Sequence, residues 1–448
     1  MARWNRCNGA NMTDNALPSA DHPTFAEATK VWAKIGLISF GGPAGQIALM
    51  HRVVVDEKHW IDEPRYLSAL NFCMLLPGPE AMQLATYVGW RLHGVKGGLA
   101  AGLLFVLPGA VLMLGLALAY ASFGKLPLAE ALFVGVKAAV LAIVVEALLR
   151  VARRALKQPA DWIVAGIAFL GIYAFAVPFP VIVLAAALFG FFRAAGQHGL
   201  ETAAPRLAPV PFTDTLKTVA LWLGIWIFPL LAVALVFGND HVLTDLAWFF
   251  SKLAVVTFGG AYAVLAYMAQ AVVEGYGWLT PGEMLDALGL AETTPGPLIL
   301  VNEFVGTLAA WRHGGGPPLL MGILGAIVTL WATFAPCFLW IFAGAPYIER
   351  LNAEPRLKSA LATVTAAVVG VILNLTVWFA LHVLFAEVTT LEAGPLRPAV
   401  PELASINLTT GALSAVAFML LFGLHRGIVT TLAVCGALAL AWHSLGMA

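Results

Sequence analysis

Two Pro-Gly-Pro motifs interrupt apolar stretches of the chain, at residues 77–79 and 295–297. Proline cannot donate a backbone hydrogen bond inside a helix, but it is well suited to the first helical position. We therefore predict that Gly78 caps a half-helix that begins at Pro79. The next amides, at 80–82, would have no intrahelical acceptor, and the positive end of the helix dipole would add to their attraction for an anion. The alternative is a packing kink, which is common in membrane helices.

Small and polar residues near these motifs complete the candidate site. Gly41-Gly42-Pro43 and Gly259-Gly260 are either second helix breaks or places where helices pack closely through small residues. Gln46 follows one turn later and could donate to an oxyanion. The candidate substrate-binding residues are Gly41, Gly42, Pro43, Gln46, Pro77, Gly78, Pro79, Glu80, Ala81, Gln83, Gly259, Gly260, Pro295, Gly296, Pro297 and Asn302.

Glu80 lies at the second position of the predicted half-helix, where its protonation state matters. A carboxylate there would compete with an anion, whereas the protonated form would donate to it. If it takes up a proton as the anion binds, Glu80→Gln should keep binding but lose the pH dependence of transport. If it stays ionised, it could act as a gate or pair with a cation such as Lys34 or Arg91. Lys34 and Lys252 occupy equivalent positions in two spans, and snorkelling to the membrane surface is their other interpretation.

The composition places these residues in a membrane protein. The 448 residues are 60% hydrophobic and 11% charged, with a mean hydropathy of +0.86. A soluble domain carries about 25% charged residues, so the bilayer must solvate this chain. The net charge of zero gives no basic surface for nucleic acid, and no P-loop motif indicates ATP hydrolysis. The four cysteines form no CxxC pair, and we expect no metal or other cofactor.

Hydropathy predicts an all-α, polytopic protein with about 13 transmembrane helices. The predicted organisation is a polar tail at 1–24, a first transporter repeat at 25–192, a cytoplasmic linker at 193–215, an extra linking helix at 216–242 and a second repeat at 243–448. Another polar stretch, 387–407, separates two spans. The expected location is the inner cell membrane, with the N-terminus in the cytoplasm.

The two repeats are related by a shift of 218 residues. This shift aligns the FGG motifs at 40–42 and 258–260, the tryptophans Trp60 and Trp278, and both Pro-Gly-Pro motifs without a gap. Across residues 40–79 it gives 14 identities. Apolar bias alone would not align two Gly/Pro motifs and a tryptophan, so the chain contains a duplication.

The extra helix before the second repeat predicts that the two repeats are inverted in the membrane. With one crossing for each Pro-Gly-Pro segment, the inner loops hold 16 Lys and Arg residues and the outer loops 6. With two crossings the counts become 14 and 8. The positive-inside rule therefore favours 13 spans and inverted repeats with discontinuous helices. Gly78 and Gly296 would then lie close to one shared cavity.

The sequence resembles the chromate ion transporter (CHR) superfamily in its long, two-domain form. The strings that carry the resemblance are FGGPAGQI at 40–47, LLPGPEAMQLATYVGWRLHG at 75–94, GGLAAGLLFVLPG at 97–109, FGGAYAVL at 258–265 and TPGP at 294–297. The resemblance implies chromate export by a duplicated domain with inverted halves. It also implies a dependence on an ion gradient rather than on ATP.

Several functions remain open from the sequence. Sulfate or another tetrahedral oxyanion has the same charge and shape as chromate. A membrane enzyme acting on lipid phosphates would need clustered acidic or histidine residues, which the spans do not offer. A passive channel is compatible with the residues, but inverted repeats with broken helices favour alternating access. The expected partners are the oxyanion and the lipid bilayer, with a homodimer left open.

Overall fold

The structure, a computed structural model, describes residues 23–40, 42–195, 212–256, 258, 261–348, 354–391, 394 and 396–445. Up to the linker, the described chain forms α1 (Phe25–Ile38), α2 (Gly42–His51), α3 (Glu63–Leu75), α4 (Glu80–Phe123), α5 (Pro127–Ala155), α6 (Pro159–Phe175) and α7 (Phe179–Ala195). A π-helical turn, Arg52–Glu57, extends α2.

The second half begins with the extra helix and then follows the same order. Its helices are α8 (Phe212–Phe237), α9 (Val242–Val256), α10 (Ala261–Gln270), α11 (Pro281–Thr293), α12 (Val301–His313), α13 (Pro318–Gly344), α14 (Pro355–Leu384), α15 (Leu408–Phe418) and α16 (Ile428–Ser444). Two short strands, β1 (Val388–Thr390) and β2 (Ala399–Pro401), pair antiparallel between α14 and α15. This pair departs from the all-α prediction, because the polar stretch there satisfies its backbone groups in a hairpin outside the helices.

The helices differ in length, and the shorter ones flank the predicted breaks. Five of the described helices are long and apolar enough to cross a membrane, namely α4, α5, α8, α13 and α14. By contrast α3, α11 and α12 have 13 residues each. Such a helix is about 20 Å long, which is shorter than the 30 Å hydrocarbon core. They are therefore half-helices by length.

Backbone features recur in the two halves at the shift of 218. The half-helices α3 and α11 coincide after this shift, and each is capped by a side-chain oxygen, from Asp62 and Thr280 respectively. The amides of Trp60 and Trp278 donate to the residues six positions before them, at 2.8 and 2.9 Å. Sequence similarity is therefore accompanied by the same local backbone geometry in both copies.

Helix α4 is a hairpin of two limbs, residues 80–92 and 95–123. His93 and Gly94 leave the helical region between them, and Gly94 has φ +62°. The limbs pack tightly because small residues face each other, and an added Cβ at Gly102 would lie 2.5 Å from the hydroxyl of Thr86. The glycines Gly98 and Gly102, which form a GxxxG motif, thus serve close packing. In the second half, α12 and α13 form the corresponding hairpin.

The two halves share a buried polar contact away from the breaks. Lys137 of α5 pairs with Asp286 of α11 at 3.4 Å, and the hydroxyl of Tyr120 donates to the same carboxylate at 2.7 Å. Because Asp286 is only 3% exposed, this pair ties the halves together in a region of low dielectric. The extra helix α8 lies at the periphery, with Leu235 86% exposed. Residues 196–211 of the predicted linker lie outside the described residues.

Candidate functional site

Both Pro-Gly-Pro motifs break the helix, and each break depends on a glycine with positive φ. The φ angles are +116° at Gly78 and +92° at Gly296, a region that side chains with a Cβ rarely adopt. At the first motif the helix begins one residue later than predicted, at Glu80, with Pro79 as the N-cap. The reason is that Pro79 keeps an extended ψ of 105°, and its carbonyl accepts the first helical bond, from the Gln83 amide at 3.1 Å. The amides of residues 80–82 precede this bond.

The second motif opens into a tighter turn. Pro297 is the N-cap of a short 3₁₀ turn, Leu298–Leu300, which leads directly into α12. The Leu300 amide donates to the Pro297 carbonyl at 2.9 Å. The two breaks therefore share the glycine geometry but present their free amides differently, because only the first continues at once as an α-helix.

Each break packs against a proline-containing helix of the other half. An added Cβ at Gly109, which follows Pro108 in α4, would lie 2.0 Å from the carbonyl oxygen of Pro295. In the reverse direction, an added Cβ at Gly78 would lie 3.1 Å from Sγ of Cys337, which follows Pro336 in α13. The contact is thus reciprocal, and a movement of one half against the other must displace both breaks.

Gln46 ties the first half to the second motif. Its Nε2 donates to the carbonyl oxygens of Gly296 at 2.5 Å and Ser39 at 3.4 Å. The Gly296 amide in turn donates to the Ser39 carbonyl at 2.8 Å. Sequence reasoning offered Gln46 as a donor to an oxyanion, but in this conformation its N–H groups point at backbone carbonyls. Gln46, which is 1% exposed, therefore stabilises the second break by hydrogen bonding.

Gln83 and Asn302 lie along the same buried path beside α13. The Nε2 of Gln83 donates to the Pro77 carbonyl at 2.7 Å. This bond stabilises the first break as the bond from Gln46 stabilises the second. The Nδ2 of Asn302 donates to the hydroxyl of Thr333 at 3.3 Å. Thr333 lies one turn before Cys337, whose thiol contacts its carbonyl at 3.7 Å. The structure therefore connects Asn302 with the first break through the side chains of α13.

Glu80 is half-buried at the start of its helix, and Arg154 is the cation whose charge acts on its carboxylate. Arg154 lies in the last turn of α5 and contacts Sδ of Met74 at 3.1 Å. The cations named from the sequence, Lys34, Arg91 and Lys252, have exposed side chains, and none of them pairs with Glu80 in the described part of the chain. Sequence reasoning missed Arg154 because it lies 74 positions away and outside both motifs.

The glycine-rich segments before the half-helices are only partly described. Gly41, Gly259 and Gly260 lie outside the described residues, so the structure says nothing about those predictions. Gly42 and Pro43 open α2 directly after that gap, and Gly42 has φ +68°. Ser39, which no motif singled out, has a fully buried hydroxyl that finds no hydrogen-bond partner among the residues that the structure describes. Among the described residues, no group of three or more His, Cys, Asp or Glu could hold a metal ion.

The fold and the breaks together define a polytopic membrane protein whose two halves each contain a broken helix. The family model described as chromate transporter matches residues 26–191 and again residues 244–441. These two matches cover most of the chain, and therefore this protein belongs to the chromate transporter family, in its long form.

Named relatives agree with this assignment. The chain is 35% identical to the chromate transport protein of Pseudomonas aeruginosa over 345 residues, which are 76% of this chain and 77% of the relative. It is 30% identical over 355 residues to the probable chromate transport protein of Synechococcus elongatus, covering 78% and 84%. It is 29% identical over 361 residues to the chromate transport protein of Cupriavidus metallidurans, covering 78% and 81%. No solved structure matches the chain.

Proposed function

We propose that this protein exports chromate across the inner cell membrane, driven by the membrane potential or an ion gradient. The observation that carries the proposal is the pair of Pro-Gly-Pro breaks, each with a positive-φ glycine and each packed against the other half. The names of the relatives supply the substrate. The free amides at 80–82 and the positive dipole end supply the affinity for an anion.

The physical chemistry of the substrate favours export. A dianion that leaves a cell held negative inside gains about 4.6 kcal/mol per 100 mV, which is twice the value for a single charge. A tetrahedral oxyanion presents only acceptor oxygens, so backbone amides suit it better than carboxylates do. Irregular backbone at membrane depth is tolerated where it lines a cavity or is buried in protein. The second break is buried throughout, whereas at the first break Pro77 is buried and Gly78 and Pro79 are partly exposed.

Alternating access follows from the proposed arrangement of about 13 spans in two inverted repeats. In such folds one half rocks against the other around a fixed site. The reciprocal packing of Gly109 on Pro295 and of Gly78 against Cys337 supports this, because rocking would change both contacts together. The free amides of one break would then close around the anion as those of the other break open.

Chromate flux in inside-out vesicles tests the function. Vesicles that contain the protein should accumulate labelled chromate, and a potential that is positive inside the vesicle should accelerate uptake. Sulfate in excess should compete if the site recognises only charge and shape. Transport of labelled sulfate without transport of chromate would replace the proposed substrate by the alternative oxyanion. Uptake of neither anion would refute the proposal.

The inversion of the repeats has a separate test at equivalent exposed positions. Lys58 and Tyr276 are related by the shift of 218 and lie at the turn after α2 and α10 respectively. In a variant with Cys7 replaced by serine, Lys58→Cys should react with a membrane-impermeant maleimide in intact cells. Tyr276→Cys should react only in inside-out vesicles. The other cysteines, Cys73, Cys337 and Cys435, are buried and give a low background. Labelling of both positions from one side would exclude inversion.

A further inference from the structure

Glu303 is a buried carboxyl group that the proposed site does not yet use. It lies on α12, six residues after the end of the second Pro-Gly-Pro motif, and it is 1% exposed. Within the described part of the chain, neither of its carboxyl oxygens has a hydrogen-bond partner. The shift of 218 places Ala85 at the equivalent position, so this carboxyl belongs to the second half alone.

Among the described residues, no charged side chain compensates Glu303. The helices that pack against α12 are α4, α9, α11 and α13. Helix α13 carries no Asp, Glu, Lys or Arg, and its one titratable side chain is Cys337. The charged residues of the other three are Glu80, Arg91 and Lys96 on α4, Asp245 and Lys252 on α9, and Glu283, Asp286 and Glu292 on α11. The other titratable residues of these helices are His93, Tyr87 and Tyr120 on α4 and Arg312 and His313 on α12 itself. Neither the charged residues nor these groups interact electrostatically with the Glu303 carboxyl.

An ionised carboxylate in these surroundings would be very unfavourable. Burial without a hydrogen bond or a counter-ion penalises the charged form much more than the neutral form. Ionisable groups inside membrane proteins are accordingly paired or functional. In the conformation that the structure shows, Glu303 is therefore a neutral carboxylic acid with a proton to exchange.

A buried polar stripe runs along α13 between the turn of α12 that carries Glu303 and the first break. It consists of Thr329, Thr333 and Cys337, which are four residues apart and so follow one face of α13. At one end, the hydroxyl of Thr329 would lie 2.1 Å from an added Cβ at Gly306, one turn after Glu303. This hydroxyl has no hydrogen-bond partner in the described part of the chain. At the other end, Cys337 lies against Gly78. The stripe thus reaches from the turn of α12 that carries Glu303 to the proposed anion site.

We propose that Glu303 is the proton-binding residue of the transporter and that its protonation is linked to binding of the oxyanion. The inference rests on the proposed oxyanion site. A negative charge on Glu303 would repel a dianion at the nearby breaks through a medium of low dielectric. Binding of the anion therefore requires the protonated form, and a rise in pH weakens binding. Glu80 is the weaker candidate because it is half-buried and Arg154 acts on its charge.

Anion affinity as a function of pH tests this linkage in the full-length protein in lipid nanodiscs. For the parent, the dissociation constants of chromate and sulfate should rise with pH by up to tenfold per pH unit, the limit for one linked proton. Sulfate is included because it stays a dianion at every pH of the titration. In Glu303→Gln, which mimics the protonated acid, the affinity should stay high and no longer depend on pH. Glu80→Gln and the exposed control Glu130→Gln should keep the slope of the parent.

A slope in Glu303→Gln equal to that of the parent would overturn the inference, and loss of the slope in Glu80→Gln alone would move the role to Glu80.

A second readout does not depend on the anion. Infrared spectra of the parent should contain a carbonyl band of a protonated carboxylic acid that Glu303→Gln lacks, and absence of that band in the parent would also overturn the inference. If the band is present but neither anion binds the parent, the proposed function fails and the protonation of Glu303 stands. Should Glu303→Gln fail to insert, the parent decides the question at a pH at which the band of the protonated acid has disappeared from the anion-free protein. Addition of sulfate there should cause uptake of one proton, and no uptake would overturn the inference.

Discussion

Replacing Gly78 with leucine is expected to abolish chromate export while the protein still inserts into the membrane. The φ of +116° at this position strains any residue with a Cβ by about 1–3 kcal/mol. Taken as a shift in a conformational equilibrium, that range corresponds to about 5- to 150-fold. The side chain would also collide with its surroundings, because the added Cβ alone would lie 2.9 Å from Nε2 of Gln83 and 3.1 Å from Sγ of Cys337. The free amides at 80–82 would be displaced or covered.

Gly94 provides the matched control for Gly78. It also has a positive φ, +62°, but an added Cβ there would meet nothing within 4 Å. Gly94→Leu should therefore lower stability through a similar backbone strain of about 1–3 kcal/mol but keep most of the export activity. Both variants are compared by chromate uptake into inside-out vesicles, normalised to the amount of protein in the membrane. Normal chromate resistance in cells that carry Gly78→Leu would remove the first break from the proposed site.

Gly109→Ala is expected to cause the second-largest loss, although it adds a single methyl group. That methyl carbon would lie 2.0 Å from the carbonyl oxygen of Pro295 and 2.6 Å from Cδ1 of Leu300. The second motif cannot move away freely, since hydrogen bonds from Gln46 and to Ser39 also hold Gly296. Overpacking of this kind costs about 1–3 kcal/mol. We expect a lower thermal unfolding temperature in detergent and a reduction of export by about 5- to 150-fold.

Gly115→Ala on the same limb of α4 separates crowding from a general effect of alanine. An added Cβ at Gly115 has no neighbour within 4 Å, and alanine favours a helix over glycine by up to about 1 kcal/mol. This variant should be as active as the parent and as stable or slightly more so. If Gly109→Ala behaves like Gly115→Ala, the packing of the second break on α4 has no role in transport.

The helix breaks were predictable because their causes are local. Proline lacks an amide hydrogen and glycine tolerates positive φ, whatever the rest of the chain does. The position of the first helical residue was not predictable to the residue, because the choice between Pro79 and Glu80 depends on which carbonyl accepts the Gln83 amide. Similarly, nothing local distinguishes the polar stretch that forms β1 and β2 from an irregular loop.

The interactions of the side chains around the breaks depend on contacts between residues that are far apart in the sequence. Gln46 and Gly296 are 250 residues apart, and their hydrogen bond exists only because the two halves interlock. The same holds for Gly109 with Pro295 and for Cys337 with Gly78. Glu303 is the clearest case, since a glutamate directly before an FVG sequence looks ordinary until its burial and its lack of hydrogen-bond partners among the described residues are known.

The sequence alone therefore determined that the chain is a membrane protein with a duplicated domain and a Pro-Gly-Pro break in each copy. Apolar composition, a repeated motif and the conformational limits of proline and glycine are properties of the residues themselves. Only the tertiary structure decided that each break packs against the other half and that no charged side chain of the described residues pairs with Glu303. The reason is that burial and pairing are set by residues hundreds of positions apart, and the free energy of a charge in a membrane depends on those neighbours rather than on its own segment.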